Sequence, residues 1–140
     1  MLTSVELFAG IGGFRIAADA AGVRTLWAND MSPDSCRVYR DNFGDGELRE
    51  GDIGTLVPET PPHDSLTAGF PCQSFSSAGK KMVLDDVRGG LFQAVIKVVH
   101  KHWPRYVVLE NVPAILTMKG GAGMRAVLEA FFRCRYAVEW

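Results

Sequence analysis

The chain has 140 residues, is 47% hydrophobic and 22% charged, and carries a formal net charge of -1. This fits one compact globular domain. It excludes a membrane-spanning helix, because no apolar run approaches about 18 residues, and it disfavours a stand-alone nucleic-acid binder, which would carry a basic face. The opening Met1-Leu2-Thr3-Ser4-Val5 lacks the basic-then-apolar pattern of a signal peptide, so a cytoplasmic location is expected. In chain order, Ser4-Val5-Glu6-Leu7-Phe8 reads as a strand, residues 9–13 as a glycine-rich turn, and residues 14–21 as a helix stopped by Gly22. Residues 25–29 read as a second strand. Ser32-Pro33-Asp34 carries helix-start signals for a helix to about Phe43, with Cys36, Tyr39 and Phe43 on one face. A weak strand is expected over 48–53, another over 64–68, a long loop over 69–84 and a helix over 88–102. Leu91, Phe92, Val95, Val98 and Val99 fall at helical spacing in that helix. A strand over 106–110, a helix over 124–132 and the start of a strand over 136–140 complete the chain. Strands alternating with helices predict a doubly wound α/β fold with a parallel sheet.

In such a fold ligands bind at the carboxyl ends of the strands. The turn Phe8-Ala9-Gly10-Ile11-Gly12-Gly13 lies there, and its glycines allow close backbone approach. Asp30 follows Gly10 by 20 residues, at the end of the second strand, where an acid suits a ribose diol. Asp52 is placed at the close of the third strand, where it could accept from an adenine amino group. The alternative is a tight turn and two solvated acids. The dinucleotide fingerprint G-x-G-x-x-G fails, because Arg15 stands where its third glycine belongs.

Gly69-Phe70-Pro71-Cys72-Gln73-Ser74-Phe75-Ser76 directly follows the fourth strand, and Glu110-Asn111-Val112 ends the next. A cysteine and a glutamate thus face one crevice from adjacent strands. A thiolate is a strong nucleophile near neutral pH, and a neighbouring glutamate can give or share a proton. Cys36 and Cys134 read as small apolar core residues. Three cysteines with no C-x-x-C argue against a disulfide framework or a zinc site, and no metal is expected. His63, His100 and His102 read as structural or surface residues.

Residues 6–13, 69–76 and 110–112, in this order and spacing, resemble three signature motifs of the DNA (cytosine-5)-methyltransferases, and residues 86–92 resemble a fourth. The resemblance covers essentially the whole chain. It implies a Rossmann-like fold dependent on S-adenosylmethionine, of the bacterial or phage restriction-modification type. Phe8 would pack on the cofactor, and Gly10, Ile11 and Gly13 would approach its amino-acid end. Asp30 would hold the ribose, Met31, Asp52, Ile53 and Leu91 would surround the adenine, and Gly69 and Pro71 would line the pocket. Cys72 would attack C6 of a flipped cytosine in double-stranded DNA, with Glu110 at N3 and Pro71, Gln73 and Asn111 completing the catalytic set. Ser76, Lys80, Lys81 and Arg88 fall in or beside a loop that would close on DNA; for Lys80 and Lys81 an ordinary solvated pair is the alternative.

The family pattern continues beyond this chain, with a Gln-x-Arg-x-Arg segment, a target-recognition domain and a closing cofactor segment. Residues 1–140 therefore read as a partial catalytic domain, C-terminally incomplete and without the target-recognition domain. A complementary C-terminal segment or subunit is the expected partner. Two other readings compete: a tRNA cytosine methyltransferase, disfavoured by Gly69-Phe70 where those relatives carry another proline, and a non-catalytic S-adenosylmethionine-binding or regulatory fragment.

Overall fold

A computed structural model describes residues 1–71 and 90–140. The elements in chain order are β1 (Thr3–Leu7), α1 (Gly13–Ala20), β2 (Arg24–Asp30), α2 (Pro33–Phe43), β3 (Leu48–Glu50), α3 (Ile53–Leu56), β4 (Ser65–Ala68), α4 (Leu91–His102), β5 (Tyr106–Leu109) and α5 (Ala122–Arg133). The strands form one sheet in the order β3-β2-β1-β4-β5, and every pairing is parallel. From β1 the chain runs outward through β2 and β3, then returns to build β4 and β5 on the other side. The carboxyl ends of β1 and β4 thus flank the point where strand order reverses, the ligand crevice of open α/β sheets.

Side-chain alternation sorts the strands onto two faces. Val5, Leu7, Leu66 and Ala68 join Trp27 and the inner side of α4 and α5 in the larger core, with Phe92, Val95, Val98 and Val99 fully or almost fully buried. Ala9, Ala28 and Leu48 join Cys36 and Tyr39 of α2 in a smaller core on the other face. Both faces are covered over the inner strands, as a parallel sheet requires, while at β5 the second face leaves Tyr106 and Val108 about half exposed. Ser32 caps α2, its hydroxyl accepting from the Ser35 N–H at 3.3 Å, and Pro33 takes the first helical position. Gly22, at φ +68°, follows the end of α1 and donates to Asp19 O at 3.1 Å.

Four expectations need correction. The third strand is only Leu48–Glu50, and Asp52 does not close it. The Asp52 carboxylate instead accepts from the Gly54 N–H at 2.8 Å and starts α3, so local capping ends the strand pattern early. Residues 136–140 are not a strand. Arg135, at φ +61°, turns the chain after α5, and the Tyr136 hydroxyl donates to Pro104 O at 2.6 Å, which holds this segment away from the sheet ladder. The last helix starts at Ala122, two residues early, after Gly121 in the left-handed region. The fourth helix starts at Leu91 and not at Arg88, because Gly90 before it is extended at φ -91° and ψ -171°; most of the 69–84 loop lies outside the described residues.

Cys36 and Cys134 are buried, as expected. His63 and His102 meet edge to face at 5.1 Å, and each bonds a backbone carbonyl, Pro61 O at 2.7 Å and Thr60 O at 2.8 Å. Burial pushes both imidazoles below their ordinary pKa. Among the described residues, no helix is long and apolar enough to cross a membrane.

Candidate cofactor and active site

β1 ends at Leu7, and Phe8 then takes φ +57°, a conformation sparsely populated outside glycine. Such outliers persist where the surroundings hold them. Here the next residue is fixed on both sides, because the Ala9 N–H donates to Asn29 O at 2.8 Å and the Gly12 N–H donates back to Ala9 O at 2.9 Å. Gly10, at φ +56°, has open space where a side chain would project. Ile11 is 62% exposed beside it.

Asp30 ends β2 and ties the turn to the next segment. One carboxylate oxygen accepts from the Gly10 N–H at 2.8 Å, and the other accepts from the Ser32 N–H at 2.8 Å. Each oxygen retains acceptor capacity for a ligand hydroxyl. Met31, next along, is 64% exposed. Asn29 was missed by the sequence reading. Its buried amide donates to Arg49 O and Gly51 O, both at 2.9 Å, and so ties the end of β2 to the segment carrying Asp52. A buried asparagine next to a ligand-edge acid was the available signal. The Ile53 side chain is 2% exposed and belongs to the core, so any ligand contact at this residue would have to come from its main chain.

At the other side of the crevice, Ala68 pairs with Leu109, and the Glu110 N–H donates to Ala68 O at 3.0 Å. A side-chain carbon on Gly69 would come within 3.3 Å of a Glu110 carboxylate oxygen and 3.9 Å of the Phe14 ring. Glu110 is exposed at this edge. The Asn111 amide donates to Phe70 O at 2.9 Å, and its own oxygen accepts from the Val112 N–H at 2.9 Å. Asn111 is thus a strut between the end of β5 and the backbone that leads into Pro71. The Phe70 ring points inward against Phe92, 5.3 Å between centroids. Leu91 packs partly buried at the start of α4.

The structure therefore brings Phe8, Gly10, Ile11, Asp30, Met31, Asp52, Gly69, Pro71, Glu110 and Asn111 to strand ends or the loops beyond them, with Gly13 and Leu91 at the first positions of α1 and α4. Cys72, Gln73, Ser76, Lys80, Lys81 and Arg88 lie outside the described residues. Among the described residues, no group of three or more His, Cys, Asp or Glu could hold a metal ion.

The sequence matches the family described as C-5 cytosine-specific DNA methylase over residues 2–140. It is 38% identical over 140 residues to the type II methyltransferase M.DsaV of Dactylococcopsis salina, an alignment covering 99% of this chain and 39% of that protein. It is 39% identical over 127 residues to the type II methyltransferase M.HhaI of Haemophilus parahaemolyticus, covering 90% of this chain and 38% of the relative. The crystal structure of the S. pombe Dnmt2 methyltransferase superposes with a TM-score of 0.75 at 25% identity, covering 96% of this chain and 42% of that one. The chain spans about two fifths of the length of the curated relatives it matches.

Proposed function

Because the chain belongs to the C-5 cytosine-specific DNA methylases, we propose that it forms the catalytic and cofactor-binding part of an enzyme that methylates C5 of cytosine in DNA, with Cys72 as the nucleophile. One observation carries the reading. The backbone entering the Cys72 loop is held by Asn111 at Phe70 O, while Glu110 stands at the end of the adjacent strand. The backbone that leads up to Pro71 and the strand end that carries the acid are thereby held to each other through two hydrogen bonds, Asn111 to Phe70 O at 2.9 Å and the Glu110 N–H to Ala68 O at 3.0 Å.

The residues at the crevice fit S-adenosylmethionine. The turn offers open backbone at Gly10, Asp30 retains acceptor capacity for a ribose diol, and Ile11 and Met31 expose apolar surface at the same edge. Phe8, Gly13, Asp52, Ile53, Gly69, Pro71 and Leu91 complete the proposed pocket. When bound, the cofactor supplies a sulfonium-activated methyl group. The chain's own residues prepare the base to accept it. The Cys72 thiolate adds to C6 of cytosine, and the electron pair of the 5,6 double bond becomes available at C5. Glu110 shares a proton with N3 and stabilises the charge that develops as aromaticity is lost. Removal of the C5 proton after methylation returns its electron pair to the ring and expels Cys72. Pro71, Gln73 and Asn111 position the loop. The target base is out of reach inside a duplex, so it must be flipped, at a cost of a few kcal/mol.

The proposed site of action is cytoplasmic DNA, in the manner of a restriction-modification enzyme. A complementary segment or subunit would supply further DNA contacts and cover β5, which among the described residues pairs with β4 alone and leaves Tyr106 and Val108 about half exposed. An open strand edge invites pairing with another chain. A groove of about 430 Å³ beside it, lined by Val107, Leu109, Val127 and Phe131 among others, offers apolar surface for the same partner.

Trapping tests the nucleophile. DNA carrying 5-fluorocytosine should be held covalently by the enzyme reconstituted with its complementary segment, because fluorine does not leave as a proton does. Peptide mapping should place the adduct on Cys72, and the 140-residue chain alone should be inert on duplex DNA. An adduct on Cys36 or Cys134 would overturn the assignment, as would a productive enzyme that forms none.

The cofactor pocket has its own expected result. Asp30→Ala should weaken S-adenosylhomocysteine binding by roughly 1.5–3 kcal/mol through lost charge-assisted hydrogen bonds, or about 10- to 150-fold in Kd. Calorimetry measures this directly, and unchanged affinity would move the ribose site elsewhere.

A further inference from the structure

Glu6 sits in the middle of β1 and is 2% exposed. Its neighbours across the sheet are Ala28 and Thr67, neither able to carry charge. Neither carboxyl oxygen has a partner at full hydrogen-bond geometry. Buried carboxyls left this way are rare and call for an explanation. The N–H groups of Phe14 and Arg15 are near enough to favour its charged form, and they belong to the second and third residues of α1, donors that no turn of the helix can satisfy. A side-chain cap normally answers those donors. The cap residue here is Gly12, which has no side chain to offer and makes no capping hydrogen bond. It cannot readily be exchanged for a serine or aspartate, because a Cβ on Gly12 would lie 2.2 Å from the Phe43 ring.

We infer that Glu6 is a positioning residue of the cofactor site: from the strand beneath, it supplies the cap that Gly12 cannot, and so holds the first turn of α1 and the Phe8–Gly13 turn in one geometry. The inference rests on the reading of that turn as cofactor-binding. The charged and titratable groups facing Glu6 come from every element around it. Arg15 lies across from it, itself ion-paired to Glu47 and to Asp19 and set over the Phe43 ring at 5.3 Å. Tyr39 of α2 lies beside Arg15 and Glu6, and burial and the neighbouring Glu6 carboxylate push its hydroxyl up to about 12. Asp30, at the end of β2, adds negative potential. Burial is the largest influence on Glu6 and pushes its carboxyl up to about 7, with Arg15 and the two N–H groups opposing. An ionised acceptor makes the stronger cap, so the turn is held more firmly above that pH than below it.

Three forms of the 140-residue chain test the inference: wild type, Glu6→Gln and Glu6→Ala. Glutamine keeps a neutral acceptor and loses the titration; alanine loses both. In wild type the ¹H–¹⁵N resonances of Phe14 and Arg15 should shift together through a midpoint near pH 7, and in Glu6→Gln they should not titrate there. Affinity for S-adenosylhomocysteine should rise across the same midpoint in wild type and stay flat with pH in Glu6→Gln. Glu6→Ala should bind roughly tenfold more weakly than Glu6→Gln at pH 8, equivalent to about 1.4 kcal/mol. Resonances that fail to titrate, or identical pH profiles in wild type and Glu6→Gln, would overturn the role of Glu6. If the resonances titrate as expected but no form binds the ligand, the capping stands and the cofactor reading of the turn fails instead. Equal affinity in the alanine and glutamine forms would leave no capping contribution and would also overturn the inference.

Discussion

A Gly12→Ala chain should unfold about 3 kcal/mol more easily than the wild type, with its urea midpoint lowered and the slope of the transition unchanged. Two separate penalties combine at this position. The backbone sits at φ +95°, where an L side chain is strained, and left-handed conformations cost roughly 1–2 kcal/mol per residue. The added methyl would then lie 2.2 Å from Cε2 and 3.0 Å from Cδ2 of Phe43. Phe43 cannot easily give way, because Arg15 covers its ring at 5.3 Å and Tyr39 packs against it at 5.0 Å. Overpacking of this kind typically costs 1–3 kcal/mol, on the order of the strain itself. Gly13→Ala is the matched control. That residue begins α1, has no positive φ and has nothing within 4 Å of its Cβ position. It should be neutral or gain roughly 0.5 kcal/mol from the lower entropy of the unfolded chain. Equal melts for the two variants would show that the turn is looser than drawn.

The second large effect is a pH dependence. Glu6 is raised from an ordinary value of 4.5 to about 7 in the folded chain, chiefly by burial. Between these values the folded state holds a proton that the unfolded state has released, so rising pH favours unfolding. The contribution is fully present below pH 4.5 and is lost as pH climbs through about 7. The full span corresponds to about 3 kcal/mol. Glu6→Gln removes the titration, so its stability relative to the wild type should improve by about that amount between pH 4.5 and pH 8. Only the change with pH matters, because any constant difference between amide and carboxyl cancels. Urea melts at half-unit intervals would measure it. A gap that stays constant over this range would show that Glu6 is not held in a dry environment.

These predictions fall on residues the sequence underplayed. Glu6 reads as one letter in an obvious strand, and its alternation with Ser4 suggests a wet face. The inner strand β1 is covered on both sides and has no wet face, so a charged residue there must be answered by something. Its answer comes from α1, eight residues later. Arg15, noticed only because it spoils a dinucleotide fingerprint, turns out to pack among Glu6, Glu47 and Phe43. The strand–helix alternation, the Ser32–Pro33 start of α2 and the gathering of Gly10, Asp30 and Glu110 at one sheet edge were legible, because each depends on local pattern or on a simple topological rule. Asp52 and residues 136–140 were not, because capping at Gly54 and anchoring at Pro104 override strand propensity. Asn29 was missed for a related reason: its partners, Arg49 and Gly51, become neighbours only after β2 and β3 pair.

Asp30 has a thermodynamic consequence of its own. Its carboxylate is already clasped by two backbone donors, one on the turn before it and one on the segment after it. The rotameric freedom of this side chain is therefore surrendered during folding. Immobilising such a side chain at the moment of association would cost about 0.5–1.5 kcal/mol. A ligand that meets Asp30 escapes this penalty and keeps the full value of the hydrogen bonds it forms there. Recognition at this corner should accordingly resemble a key entering a cut lock, with a favourable heat of binding and little entropic loss from the acid that receives it.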